Sequence, residues 1–460
     1  MTTSPGDHET FARSRPACAS VRTKVPAAIL AVLLLSSGSI FSASVGVQGS
    51  EELLAEEADR CLPEATIEEL KNLFGFRLAG TLPEPLEAPD VAEHPGAGTF
   101  IVGVWGGVRA HGTPEPDSRR LTVIPPNGGM GEPLSNPPFE IEGRSRLLVN
   151  PDGALDLLSP QGGSADIRPQ RILHATYLDG SWTHPDTLSW EGAEGTAGGF
   201  RWLDSWADAM VDPQGRLTVA APTRRGPLFL GRASGDRQAW ETGVAGRRPV
   251  PLARLTDWQG ELWAAWLSRP MLGRVSEGHP ANRLELAPVA QLIEGTGDSR
   301  VVMDLEGPQV QQVLLLPGPE GGLNLLLRQS DPGGGTGAGY LRWLQLSRVF
   351  DVVEKSVVPV GVGRTLSGSV IDIWPVAMLP DDAGVRVLVL SAAEGEGEWR
   401  LVDVHPGGEV RDLLRSSFGF SEGENWAVAG RHPPLYIVLD CGAAPTTLLR
   451  GPPPLSRPGD

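Results

Sequence analysis

The stretch Val149-Asn-Pro-Asp-Gly-Ala-Leu-Asp-Leu-Leu158 sets the reading of this chain, because variants of it recur. They are Val211-Asp-Pro-Gln-Gly-Arg-Leu-Thr-Val-Ala220, Thr256-Asp-Trp-Gln-Gly-Glu-Leu-Trp-Ala-Ala265, Pro317-Gly-Pro-Glu-Gly-Gly-Leu-Asn-Leu-Leu326 and Leu379-Pro-Asp-Asp-Ala-Gly-Val-Arg-Val-Leu388. In each, the Pro, Asp and Gly residues of the tip permit tight-turn dihedrals, and the alternating apolar residues after it form a returning strand. Each stretch therefore reads as a hairpin. The tip glycines Gly153, Gly215, Gly260, Gly322 and Gly384 stand 62, 45, 62 and 62 residues apart, room for four strands and their connections. Self-similarity at such a period marks a repeat architecture.

Several units carry a second hairpin signal that ends in a tryptophan-bearing strand: Gly180-Ser-Trp182, Arg237-Gln-Ala-Trp240, Leu341-Arg-Trp343 and Gly397-Glu-Trp399. Two hairpins make a four-stranded unit. Phe100 to Val108 before the array and Leu435 to Asp440 after it supply flanking strands. The expected fold is all-β, a six- or seven-bladed β-propeller over residues 99–441. A pair of β-sandwiches also has many short strands, but does not require one hairpin to recur at near-constant spacing. Closing a propeller ring usually calls for pairing early strands with late ones.

Composition agrees with a turn-rich protein. Its 58 glycines and 42 prolines account for 100 of 460 residues, which excludes a mostly helical chain. Hydrophobic residues at 40% and charged residues at 21% provide for a large core and exclude wholesale disorder. The formal charge of −17 makes nucleic acid a poor partner, since an acidic surface repels phosphate.

Residues 1–24 carry Arg13, Arg15, Arg22 and Lys24, and Val25 to Leu35 is an uncharged apolar run, the two parts of a secretory signal. The run is shorter than the roughly 20 residues that span a bilayer, although Ser36 to Val47 extends it without charge as a weak anchor. Cleavage after residue 44 is the expectation, leaving no stable membrane span in a secreted or periplasmic chain. It would remove four basic and two acidic residues and take the formal charge from −17 to −19. Cys18 would go with the signal, and in an oxidising compartment the remaining Cys61 and Cys441 invite a disulfide; two unpaired buried thiols are the alternative. Residues 45–98 read as a helical segment and a Pro/Glu-rich linker. Within them Thr66-Ile-Glu-Glu69 has capping-box form, Ile67, Leu70, Leu73 and Phe74 share one helix face, and Gly75 can end the helix. Residues 442–460 read as a Pro-rich tail.

Tyr177-Leu-Asp-Gly-Ser-Trp-Thr-His-Pro-Asp-Thr-Leu188 and Ser234-Gly-Asp-Arg-Gln-Ala-Trp240 resemble the Asp-box turn, Ser-x-Asp-x-Gly-x-Thr-Trp, of sialidase-like (BNR-repeat) propellers. Asp179, Gly180 and Trp182 match in kind, as do Ser234, Asp236 and Trp240, each with shortened spacing and a replaced residue. In that family the turn is structural, so the resemblance implies a fold and not an activity. Sialidase activity would imply an arginine triad, a tyrosine nucleophile assisted by glutamate, an aspartate acid/base and an early Arg-Ile-Pro. Ile167-Arg168-Pro169 has the wrong order, and the tyrosines are Tyr177, Tyr340 and Tyr436.

The densest functional cluster is Arg201-Trp-Leu-Asp-Ser-Trp-Ala-Asp208, where Asp204, Trp206 and Asp208 combine carboxylates with an aromatic platform suited to a sugar. Core tryptophan with solvated aspartate is the plainer reading. By equivalent placement before the tips, Arg144, Arg248, Gln311, Trp374 and Trp426 are candidates for the same mouth, subject to a register in which one residue of slip inverts the face. Eight of the 13 tryptophans lie between Trp182 and Trp266, as blade-core residues or as a stacking surface. His174 and His184 lack zinc-site spacing, and no P-loop or Gly-x-Ser-x-Gly elbow occurs, so no cofactor or metal is expected. The expectation is a propeller that binds carbohydrate or another envelope protein without catalysis. The alternatives are a sialidase-like glycoside hydrolase or lyase using Asp204 and Asp208, and a structural envelope component. Three arginines facing a Tyr–Glu pair would mark the enzyme; an apolar or glycine-lined mouth would mark the binding module.

Overall fold

The computed structural model describes most of residues 68–452; besides both ends, it leaves aside 106–118, 162–170, 189–206, 269–281, 330–338, 361–373, 393–398, 417–425, 440–445 and shorter stretches. The strand β1 (Arg77–Leu82) comes first and waits for its sheet until the end of the chain. Next come β2 (Leu86–His94), β3 (Gly98–Trp105), β4 (Arg119–Ile124) and the two-residue β5 (Glu132–Pro133), which make one antiparallel sheet. The second holds β6 (Arg146–Val149), β7 (Leu155–Gln161), β8 (Arg171–Leu178) and β10 (Asp186–Leu188), with β9 (Ser181–Trp182) also paired to β8. The third holds β11 (Asp208–Val211), β12 (Leu217–Pro222), β13 (Leu228–Ala233) and β14 (Trp240–Ala245). The fourth holds β15 (Ala253–Trp258), β16 (Glu261–Ser268), β17 (Asn282–Pro288) and β18 (Val301–Leu305). The fifth is built from β19 (Val310–Pro317), β20 (Leu323–Gln329), β21 (Gly339–Leu346) and β22 (Val352–Val360). The sixth is built from β23 (Trp374–Asp381), β24 (Gly384–Ala392), β25 (Trp399–Val404) and β26 (Val410–Ser416). The last runs β27 (Trp426–Ala429), β28 (Tyr436–Leu439), β29 (Thr446–Arg450) and then β1, so the first strand closes the ring on the last.

The fold is a β-propeller. Its innermost strands are neighbours in sequence, β27 beside β2, β2 beside β6, then β11, β15 and β19. Hydrophobic clusters fill the spaces between successive sheets: Val91 and Ile101 with Tyr436 and Leu448, Phe100 and Val102 with Leu147 and Leu157, Leu158 and Ile172 with Val219 and Phe229. Trp258 and Trp263 of the fourth sheet pack on Leu323, Leu325 and Leu327 of the fifth. The middle strands β7, β12 and β20, covered on both faces, are buried at every residue, and the polar residues they carry, such as Asp156, Thr218 and Asn324, are buried with them. The outer strand β14 has one face in solvent and is mostly exposed or half-buried.

All five recurring hairpins join the innermost strand of a sheet to its second strand: β6 to β7, β11 to β12, β15 to β16, β19 to β20 and β23 to β24. Gly153, Gly215 and Gly260 have the positive φ the tips require. In the fourth hairpin the left-handed residue is Gly321, one before the glycine expected, because Gly318 accepts the turn bond from Gly321 and pairs with Gly322. Trp258, Trp263, Trp266 and Trp343 are fully buried, the blade-core role.

Strand structure runs past both expected limits of the propeller. Residues 82–98, expected as linker, contain the innermost strand β2, and the expected tail contains β29. Pro89 fits within β2 because the β2–β3 register shifts between Glu87 and Asp90, so the proline sits at an irregularity where no ladder bond is lost. Glu68, Leu70, Lys71 and Asn72 are helical, and the Gly75 N–H donates to the Lys71 carbonyl at 3.2 Å with Gly75 in the left-handed region, a glycine C-cap. Cys61, Cys441 and residues 1–44 lie outside the described residues. No helix among the described residues is long and apolar enough to cross a membrane.

Candidate functional site

A cavity of about 250 Å³ opens at the propeller axis, lined by Asp90 to Glu93 of β2, Arg146 to Val149 of β6, Ala209 to Val211 of β11, and Pro434 and Tyr436. Alternation along β2 sends Asp90 toward the second sheet and Glu93 toward the last, so one strand presents two carboxylates to opposite sides of the cavity. Most of the wall is apolar, and three charged side chains stand in it: Asp90 and Arg146 are buried, and Glu93 is exposed.

Glu93 is held by the last sheet. Arg450 donates to Glu93 Oε2 from Nε at 2.7 Å and from Nη2 at 2.6 Å, and the Tyr436 hydroxyl donates to the same oxygen at 3.4 Å. Tyr436 is buried at the start of β28, opposite Arg450 in the β28–β29 ladder. Burial, and then the charge of Glu93, push its phenol up to about 12, while hydrogen bonds with Thr99 and Arg450 pull the other way. At neutral pH Tyr436 is therefore a protonated phenol beside a carboxylate. Tyr436 is one of the three tyrosines named above, whereas Glu93, 343 residues away, stands in the stretch expected as linker.

Of the expected site residues, Arg144, Asp204, Trp206 and Arg248 lie outside the described residues. Gln311, Trp374 and Trp426 fall on the innermost strands β19, β23 and β27, with side chains outside the described part. Asp208 is described, and its expected part in chemistry is corrected. It is 2% exposed, its Oδ2 accepts the Leu255 N–H at 2.9 Å and its Oδ1 accepts the Ala209 N–H at 2.9 Å. With both oxygens turned to backbone, it clamps the third sheet to the fourth. Asp90 makes the same bond two repeat units earlier, accepting the Leu147 N–H at 2.8 Å and joining the first sheet to the second. Asp208→Ala is expected to cost about 3 kcal/mol, since it strands a buried N–H and removes a charged acceptor. Urea unfolding would measure the loss, and an unchanged midpoint would contradict the clamp.

A second buried cluster lies within the second sheet. His174 on β8 sits between Asp156 on β7 and Asp186 on β10, with Nε2 and Nδ1 each 3.0 Å from a carboxylate oxygen. Asp156 also accepts from Thr176 Oγ1 at 2.7 Å and from the Asn150 side-chain amide. Burial alone would lower the His174 value, but hydrogen bonds and charges from Asp156 and Asp186 outweigh it and raise the imidazole to about 9. For Asp156, burial is likewise outweighed, by the bond and charge of His174 and the bonds of Thr176 and Asn150, and its carboxyl is held below the usual range. The imidazolium packs edge-on against Trp240 of the third sheet, so its charge bears on the contact between two blades. His184 is exposed and is not part of it. Among the described residues no group of three or more His, Cys, Asp or Glu is placed to hold a metal ion.

The Asp-box-like stretch forms a two-residue hairpin turn, with Asp179 and Gly180 both at positive φ between β8 and β9. Trp182 then packs on Tyr177 with ring centroids 5.1 Å apart and donates to the Ser135 carbonyl at 2.9 Å. Ser234, Asp236 and Ile167-Arg168-Pro169 lie outside the described residues.

The chain is similar in fold to a polysaccharide lyase, Uly1, at 11% identity and a TM-score of 0.47, over 80% of this chain and 90% of that one. It is similar to the GH93 α-L-arabinofuranosidase of Fusarium graminearum, solved with arabinobiose, at 10% identity and a TM-score of 0.40, over 70% of this chain and 96% of that one. An α-L-arabinanase of Penicillium chrysogenum, also solved with arabinobiose, matches at 11% identity and a TM-score of 0.38, over 67% and 92%. No family model matches the chain, and neither does any curated protein. The expected resemblance thus holds at a coarser level, a propeller of the kind found in glycoside hydrolases and lyases. The expectation of a binding module without catalysis is corrected: the solved structures similar in fold are a polysaccharide lyase, an α-L-arabinofuranosidase and an α-L-arabinanase.

Proposed function

We propose that this chain is a carbohydrate-active enzyme that cleaves glycosidic bonds at its axial cavity, sialidase-like in architecture and exported from the cytoplasm. The observation that carries the reading is the Tyr436–Glu93 pair, gripped by Arg450 and opening on a cavity that also holds Asp90 and Arg146. A pair of this kind supplies a nucleophile or proton donor with a base beside it. Tyr436 holds its proton at neutral pH, so attack by its oxygen on an anomeric carbon requires Glu93 to take that proton as the new bond forms. In an elimination the same phenol would give its proton to the leaving glycosidic oxygen.

The purified chain should release new reducing ends, or unsaturated ends absorbing near 232 nm, from at least one member of a panel of neutral and acidic polysaccharides. A folded protein that cleaves none of them would contradict the reading. Export is tested separately: expression with residues 1–44 should yield a shortened chain outside the cytoplasm, and a full-length cytoplasmic product would refute it.

A further inference from the structure

We infer that the axial site takes one uncharged sugar ring at the end of a glycan chain, and that the reaction is hydrolysis from that end. This rests on the proposed glycoside-cleaving activity and concerns what that site accepts. Three observations carry it. The cavity is about 250 Å³, below the roughly 300–1,000 Å³ of sites that enclose larger ligands, so it has room for one ring and not for a run of them. It lies at the axis between strands of the first, second, third and last sheets, so a chain end entering it meets Tyr436 and Glu93 on one side.

The third observation is charge. Among the described residues, the two carboxylates on the cavity, Asp90 and Glu93, are matched by two guanidinium groups, Arg146 on its wall and Arg450 on Glu93. A uronic or sialic acid would add a further anion to this balanced set, within a chain of formal charge −17. A neutral ring adds none, and its hydroxyls can use both kinds of group.

Neutrality also decides the reaction. Elimination needs a carbon–hydrogen bond made acidic by an adjacent carboxyl group, which a neutral sugar lacks. Cleavage then consumes one water: the bond from the anomeric carbon to the glycosidic oxygen breaks, the water oxygen bonds to that carbon, and a proton ends on the departing oxygen. Nothing is oxidised or reduced.

The test uses the full mature chain with five-residue oligosaccharides labelled at the reducing end. Arabino-, xylo-, galacto- and gluco-oligosaccharides form the neutral set; oligogalacturonate and sialylated oligosaccharides form the acidic set. Products are read by mass and by absorbance at 232 nm. The expected result is loss of one ring at a time from a neutral oligosaccharide, with free monosaccharide, no unsaturated product, and at least a hundredfold lower rate in Glu93→Gln. Cleavage confined to the acidic set would overturn the inference while leaving the glycoside-cleaving activity standing. Internal fragments without monosaccharide would overturn its end-directed part. No cleavage of either set by the folded chain would remove both the activity and the inference.

Discussion

His174→Leu is expected to lower the stability of the propeller by about 3–5 kcal/mol, the usual cost of removing one partner from a buried ionic cluster. The imidazolium neutralises Asp156, which is wholly buried, and Asp186, and among the described residues no other cation pairs with Asp156. Leucine fills the space but leaves the carboxylates facing one another and removes the bond across β7, β8 and β10. The same cluster predicts a pH dependence with a definite sign. The folded-state value of His174, about 9, lies above its ordinary 6.5. Its contribution is therefore complete below about pH 6.5 and is lost as pH rises through 9, amounting to about 3 kcal/mol. Asp156 gives the opposite limb, because its value lies below the ordinary 3.8: its contribution is present above that pH and lost on acidification. Urea midpoints of the wild type from pH 3 to 10 should rise, hold through mildly acidic pH and fall toward pH 9. In His174→Leu the alkaline fall should vanish; a wild-type midpoint flat from pH 6 to 10 would contradict the assignment of charge.

The second large effect is on chemistry. Glu93→Gln keeps the shape of the side chain but removes the base beside Tyr436 and the charge that holds Arg450. Turnover should fall by about 10²–10⁴, the range for a positioned proton-transfer group. Tyr436→Phe should cost at least as much, because it deletes the reacting oxygen while leaving the buried ring in place. Neither change should alter the far-ultraviolet circular dichroism, and KM should move less than kcat. If Tyr436→Phe retains wild-type turnover, the reacting group lies elsewhere.

Much of the fold was legible in the sequence because hairpin tips are local. Asn150 to Gly153 and Asp212 to Gly215 close with backbone bonds over three residues, so their identities report their geometry directly. The returning second strands were legible through the apolar residues after each tip, such as Leu155, Leu157 and Leu158, although their burial on both faces also takes in Asp156 and Ser159. The edges of the array were not. Strand β2 combines a proline at a register shift with carboxylates that line the cavity, and so lacks the alternation that marks an ordinary strand. For the same reason Glu93 was missed: its partners Tyr436 and Arg450 become neighbours only when β1 pairs with β29 and the ring closes. Asp208 was singled out for its company of Arg and Trp, but a carboxylate next to a blade junction serves the backbone of the next blade, as Asp90 also does. The only available signal for Tyr436 was its rarity, one of three tyrosines and the one in the last hairpin.

The central claim is that the axial cavity is where a glycan is held and cut. The most direct measurement is a crystal structure of Glu93→Gln with the neutral oligosaccharide that the wild type cleaves. The expected result is a terminal ring seated between Asp90, Arg146 and Tyr436, with its anomeric carbon within reach of the Tyr436 oxygen. A saccharide bound only on the outer strands, with the axial cavity empty, would contradict it.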